Sequence, residues 1–308
     1  MKFSNLFVGG ARSFASLQMI VSMIIFGSIG YIGGHTGLPA LELVFVRCLS
    51  ATLFLGVCWF AMGKHRHERW STREILQALL CGVFLVMNWV FLFKAFEETS
   101  VTVAISVYHL APVLVLLLGR VIFKEKLTFI SVIAIAICFA GTLLISGMGT
   151  SSIGSLLSGG VVWAACAALF YALTTLAGKS ITRLSPMATT LIQTALGVFM
   201  LLPMVRFDAF EVPDTGNWVV ILITGVIHTG VVYLLFFGSI RSLSTAFVSV
   251  IVFLDPAVAI LLDTALTGFR PEPLQIFGII LIFGGMAMAS FRSKGSAIPL
   301  KAQESAGS

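Results

Sequence analysis

The sequence predicts an all-α polytopic membrane protein whose ten transmembrane helices form two inverted five-helix repeats. Three observations predict it: more apolar residues than a soluble core could hold, ten apolar runs joined by short connections, and a one-sided distribution of lysine and arginine. Of 308 residues, 58% are hydrophobic and 10% charged, and mean hydropathy is +1.05. A single soluble core of this length cannot bury that excess, so the bilayer must take it. The net charge of +6 does not signal a nucleic-acid partner, because every Lys and Arg lies close to an apolar run and no separate basic domain remains.

Runs of about 20 apolar residues place helices near Ala15–Gly34, Leu41–Met62, Ile75–Phe93, Val101–Gly119 and Leu127–Ser146. After a Gly/Ser-rich turn, Gly147–Ser152, the pattern resumes near Ile153–Gly178, Met187–Val205, Trp218–Gly238, Thr245–Leu262 and Leu274–Phe291. The first run follows Lys2 and Arg12 and resembles a signal peptide in charge, but it is long and lacks a small-residue cleavage site, so it is expected to stay as a helix. If the runs alternate in direction, one side collects Lys2, Arg12, the Lys64–Arg73 cluster, Arg120, Lys124, Lys126, Lys179, Arg183, Arg241, Arg292, Lys294 and Lys301. The other receives Lys94, Arg206 and Arg270 alone. By the positive-inside rule both termini are then cytoplasmic. Cys48, Cys58, Cys81, Cys138 and Cys166 all fall inside apolar runs without metal-ligand spacing, and are read as packing residues.

A shift of 144 positions aligns Leu110, Pro112, Leu117 and Leu118 with Leu254, Pro256, Leu261 and Leu262. It continues without a gap to Phe139, Gly141 and Ser146 against Phe283, Gly285 and Ser290. Five helices per repeat is an odd number, so the halves enter the membrane in opposite directions, the arrangement of many secondary transporters that work by alternating access. The halves are expected at residues 1–147 and 153–292, with a flexible cytosolic tail at 293–308.

Phe26-Gly27-Ser28, Pro39 followed by Arg47, the Gly154–Ala172 stretch, and the Pro112/Gly141 and Pro256/Gly285 pairs resemble the drug/metabolite transporter superfamily in its ten-helix, EamA-type form. Within it the chain looks most like the YddG-type exporters of aromatic and other amino acids of bacterial inner membranes. The resemblance implies export of a small metabolite from the cytosol. One departure is Phe269, which aligns with Glu125 where such sequences often keep an acidic residue in both repeats.

Depth along each helix, at about 1.5 Å per residue, brings His109, Trp163, His228 and Asp255 to mid-membrane, with Arg47 and Asn88 nearer the outer face. Such groups should face a watery cavity or a partner. With Tyr108, Trp89, Tyr171 and Tyr233 nearby, they are candidates for one aromatic-lined substrate site. His109 equally suits a core histidine bonded to a carbonyl, Trp163 simple packing, and Asn88 and His228 an interhelical hydrogen bond. Pro112 and Pro256 are expected to kink their helices and are candidate gate hinges. Arg47 and Asp255 are candidates for coupling or gating through contact, direct or through water, with a permanent clamp or independent sites on facing cavity walls as alternatives. Glu42 is expected to be solvated near the outer interface, and the Gly160, Ala164, Ala168, Ala172 stripe to pack a neighbouring helix.

No metal or cofactor is expected, and no Walker motif is present for ATP. An intramembrane enzyme, a channel and a receptor are the alternatives to a transporter. An aspartyl protease needs two mid-depth aspartates and a zinc protease a His-Glu-x-x-His helix, and neither is present; a Ser beside a His at one depth stays open. The expected substrate is a neutral or zwitterionic metabolite such as an amino acid. The lipid bilayer is the other partner, and the monomer is expected to function.

Overall fold

The computed structural model describes residues 3–33, 36–98, 101–125, 127–145, 159–211, 213–266, 268 and 270–293. The expected turn at Gly147–Ser152 and Phe269 lie outside them. The described residues are helical with short turns: α1 (Phe3–Gly33), α2 (Ala40–Ala61), α3 (Thr72–Glu98), α4 (Val101–Tyr108), α5 (Ala111–Phe123), α6 (Phe129–Ile145), α7 (Gly159–Ser180), α8 (Pro186–Leu201), α9 (Thr215–Gly225), α10 (Val232–Ile240), α11 (Thr245–Ile251), α12 (Leu254–Leu266) and α13 (Pro273–Ser293). Six segments are long and apolar enough to cross a bilayer, and four shorter apolar ones complete the set of ten.

Several helix starts are written locally. Ser185 caps α8 by accepting from the Ala188 N–H, with Pro186 at the first helical position. Asp214 and Asn217 form a capping box on α9, and Ser244 caps α11. These caps satisfy donors that the helix cannot, at polar ends of apolar rods.

Pro112 and Pro256 produce breaks, not the expected kinks. Pro112 has no N–H for the Tyr108 carbonyl, so the chain leaves the helix at His109 and Leu110 and restarts as α5 with proline in its first turn. The other break falls at Val252–Phe253, between α11 and α12, shortly before Pro256. Each crossing thus consists of two half-helices, tolerable at this depth because protein surrounds the interrupted backbone.

Two pairs of glycine contacts display the pseudo-two-fold relation between the halves. A Cβ at Gly141 would meet the Gly278 carbonyl at 2.6 Å and Ile282; one at Gly285 would meet the Ala134 carbonyl at 2.8 Å and Cys138. Gly285, Gly278 and Ile282 are Gly141, Ala134 and Cys138 displaced by 144. Likewise a Cβ at Gly82 would meet Gln193, and one at Gly225 would meet Ser50, the same contact displaced by 143. The larger pairings follow: α3 packs on α7 as α1 packs on α10, and α7 packs on α4 and α5 as α1 packs on α12. Ala164, Ala168 and Ala172 are fully buried, the close-packing stripe expected of them.

Gly141→Leu should push α6 from α13 at a contact with no free space, lowering stability by about 1–3 kcal/mol or more. Thermal unfolding followed by size-exclusion chromatography in detergent reads this, and Gly284→Leu, where an added Cβ meets nothing within 4 Å, is the control expected to stay near wild type.

Candidate functional site

Arg47 organises one wall of the interior. It lies opposite the exposed face of α2 formed by Leu49, Leu53, Val57 and Phe60, so it points inward. Its Nε donates to Thr229 Oγ1 at 3.0 Å and its Nη2 to the His228 carbonyl at 3.0 Å. Both acceptors belong to a π-helical turn, Val226–Val231, between α9 and α10. Widened turns of this kind recur at functional sites because they aim backbone carbonyls and side chains where a regular helix would not. Gly225 lets this turn lie against α2: a Cβ there would come within 2.4 Å of Ser50. The guanidinium also sits 5.9 Å from the Trp89 ring centroid, within cation–π range.

The aromatic candidates form a connected group. Tyr233 meets Trp89 edge-on at 5.9 Å and Phe26 at 5.2 Å, while Tyr171 meets Tyr108 at 5.8 Å and Phe236 at 6.4 Å. Asn88 is buried, donates to the Ala167 carbonyl at 2.7 Å and exchanges hydrogen bonds with the Tyr108 hydroxyl at 3.3 and 3.4 Å. His109 sits at the break before α5, with Nδ1 2.8 Å from the Ile105 carbonyl and its ring stacked on Phe253, which occupies the matching break of the second half. Of the two readings of His109, the carbonyl bond is present, and the residue is also placed where the two broken crossings meet.

Several expectations are corrected. Arg47 and Asp255 do not form an ion pair: Arg47 is held by the π turn, while Asp255 stands in the first turn of α12 with no hydrogen bond or ion pair among the described residues. Trp163 is not at mid-depth. It stacks on Phe91 and donates to Glu98, the last residue of the long α3, so it lies towards one end of the bundle. Glu42 is 3% exposed and accepts from the Arg206 backbone N–H at 3.0 Å; enclosure against Arg206 replaces the expected solvation.

Sequence reasoning did not single out Ser28 or Thr229 for the site. Ser28 Oγ lies 2.9 Å from His228 Nε2 and also donates to the Ile25 carbonyl at 2.8 Å. The Ser–His pair is thus a strut between α1 and the π turn. Gly225 and Gly230 flanking His228-Thr229 were the one local signal of an irregular turn.

A polar network closes the face to which the sequence assigns most lysines and arginines. Glu125 Oε1 binds Lys179 at 2.8 Å, while Oε2 accepts from the Thr245 N–H at 3.0 Å and hydroxyl at 2.7 Å, capping α11. Lys124, the only non-glycine with positive φ among the described residues, ends α5 in the left-handed region and turns the chain at Glu125. Glu74 accepts backbone N–H bonds from Thr182, Arg183 and Leu184, Glu68 accepts from Ser185, and Arg241 donates to Leu184 and Thr189. Arg241 is held below the ordinary arginine range by burial, partly offset by Glu74 and Glu68, and remains a cation.

Ten crossings in two exchanged halves, closed on one face and carrying polar and aromatic groups between them, define a membrane transporter. The chain belongs to the EamA-like transporter family, whose profile matches twice, over residues 13–147 and 158–291. It is 61% identical over 287 residues, 93% of this chain and 92% of the relative, to a Bacillus subtilis (strain 168) protein named "Uncharacterized transporter YxxF". A solved crystal structure 18% identical to it superposes with a TM-score of 0.79 over 92% of this chain and all of that one, a likeness of fold.

Glu125→Gln should loosen the closed face. A cysteine at Ser249, buried one turn beyond Thr245, should then react with a water-borne maleimide about tenfold faster, the equivalent of one charge-assisted hydrogen bond of about 1.5 kcal/mol. An unchanged rate in an otherwise cysteine-free background would show that Glu125 does not close this face.

Proposed function

We propose that this transporter exports small neutral or zwitterionic amino acids, aromatic ones among them, from the cytosol by alternating access. The observation carrying this reading is the inward-facing Arg47 beside the Tyr233, Trp89 and Phe26 rings, a charged anchor next to an apolar, amphipathic surface. The two halves, taken as residues 1–147 and 153–292 with a tail at 293–308, would rock about the site, with the breaks before Pro112 and Pro256 as hinges.

The protein would work as a monomer in the bacterial cell membrane with both termini cytosolic. The closed network around Glu125, Glu74 and Arg241 then belongs to the cytosolic gate. Membership of a transporter family disfavours an enzyme. Tyr108, Asn88, Tyr171 and His109 are assigned to the substrate wall, Trp163 to its rim.

Counterflow in proteoliposomes with a panel of labelled amino acids tests the reading. Exchange of at least one neutral amino acid, lowered about tenfold or more by Tyr108→Ala or Asn88→Ala and less by Trp163→Ala, is the expected result. No exchange of any amino acid would discard the substrate assignment.

A further inference from the structure

The two deepest opposite charges are both left without a counter-ion among the described residues. Arg47 uses two of its five N–H groups on neutral acceptors, and Asp255 uses none of its oxygens on a described residue. Each is partly accessible although it faces inward. A charged side chain at a helix centre costs about 2.5–3.5 kcal/mol or more, so two uncompensated ones call for water or a ligand between them.

Neither charge is needed by the scaffold. Under the displacements that relate the halves, the partner of Arg47 is Thr190 and that of Asp255 is Ala111. The repeat therefore folds at both places without a charge.

A single turn of α1 joins the two walls. A Cβ on Gly27 would meet the Asp255 carbonyl at 2.6 Å, and the next residue, Ser28, holds His228, whose carbonyl takes Arg47. Phe26, before them, packs on Tyr233, which packs on Trp89 beneath Arg47. Consecutive residues of α1 thus touch the segments that carry the two charges, with the Phe26, Tyr233 and Trp89 rings running to Arg47.

We propose that Arg47 and Asp255 form a two-point site for a zwitterionic α-amino acid, Arg47 taking the carboxylate and Asp255 the ammonium. The planar guanidinium fork matches a carboxylate's two oxygens, and a carboxylate without other partners suits an ammonium's three donors. The substrate completes a charge pair that the protein leaves open, so a ligand lacking either group strands one buried charge. The rings around Tyr233 then receive the side chain. This deepens the amino-acid reading above and rests on it.

Competition against counterflow of labelled phenylalanine by the wild-type protein tests the proposal without a variant. Unlabelled phenylalanine should compete at least about tenfold better than either 3-phenylpropionate, which lacks the amine, or phenethylamine, which lacks the carboxylate, a tenfold step being about 1.4 kcal/mol. Arg47→Gln should remove the advantage over phenethylamine and Asp255→Asn the advantage over 3-phenylpropionate, with the conservative Arg47→Lys retaining part of it. Equal competition by all three compounds overturns the two-point site while amino-acid transport stands. A wild-type protein that exchanges phenylalanine with neither itself nor any other neutral amino acid overturns the site together with the substrate reading.

Discussion

A guanidinium placed seven residues into a membrane helix has to be solvated by the protein around it, and much of the interior is arranged to do so. Arg47 is only partly accessible on the inner face of α2. The π turn at Val226–Val231 supplies a carbonyl and a hydroxyl, Gly225 removes the side chain that would hold that turn away, and Trp89 offers its ring face. Ser28 then fixes His228 from the other side. Each device spends regular helical structure on one cation, which in lipid is tolerable only because the irregular backbone is enclosed.

The same constraint shapes the two broken crossings. Proline removes a backbone donor, and the resulting gap must sit where protein closes it. Each gap holds one buried ring, His109 or Phe253, and the two stack on one another. Two half-helices meeting two others across a pseudo-two-fold axis can tilt without stretching a continuous helix. The exposed ends are handled differently: carboxylates at Glu68, Glu74 and Glu125 take backbone donors from neighbouring helix starts, a tie that can be made and released in water at less cost than one in lipid. Opening there and closing at the far end is the motion that alternating access needs.

The architecture was largely legible in the sequence because hydropathy and displacement report what each segment does with lipid and with its counterpart. Ten runs became ten crossings, and the 144-residue shift that aligned Gly141 with Gly285 reappears as exchanged contacts at both. The interior was legible only in part. Rise per residue gives the depth of Arg47 and Asp255 but not their direction around the helix axis, so equal depth suggested a pair where packing sends Arg47 to the π turn and leaves Asp255 without a described partner. Trp163 was misplaced because depth counted along one helix does not show its partner, Glu98 at the end of α3. The π turn has no hydropathy signature at all, since a one-residue widening leaves the apolar pattern of Thr215–Ile240 intact.

The account's central claim is that two unpaired charges on different halves await one ligand. The most direct measurement is a structure of the protein in lipid nanodiscs with phenylalanine present. The account predicts density beside Tyr233 with its carboxylate on Arg47 and its ammonium on Asp255. Phenylalanine bound away from both residues, or Arg47 joined to Asp255 directly with the ligand elsewhere, would contradict it.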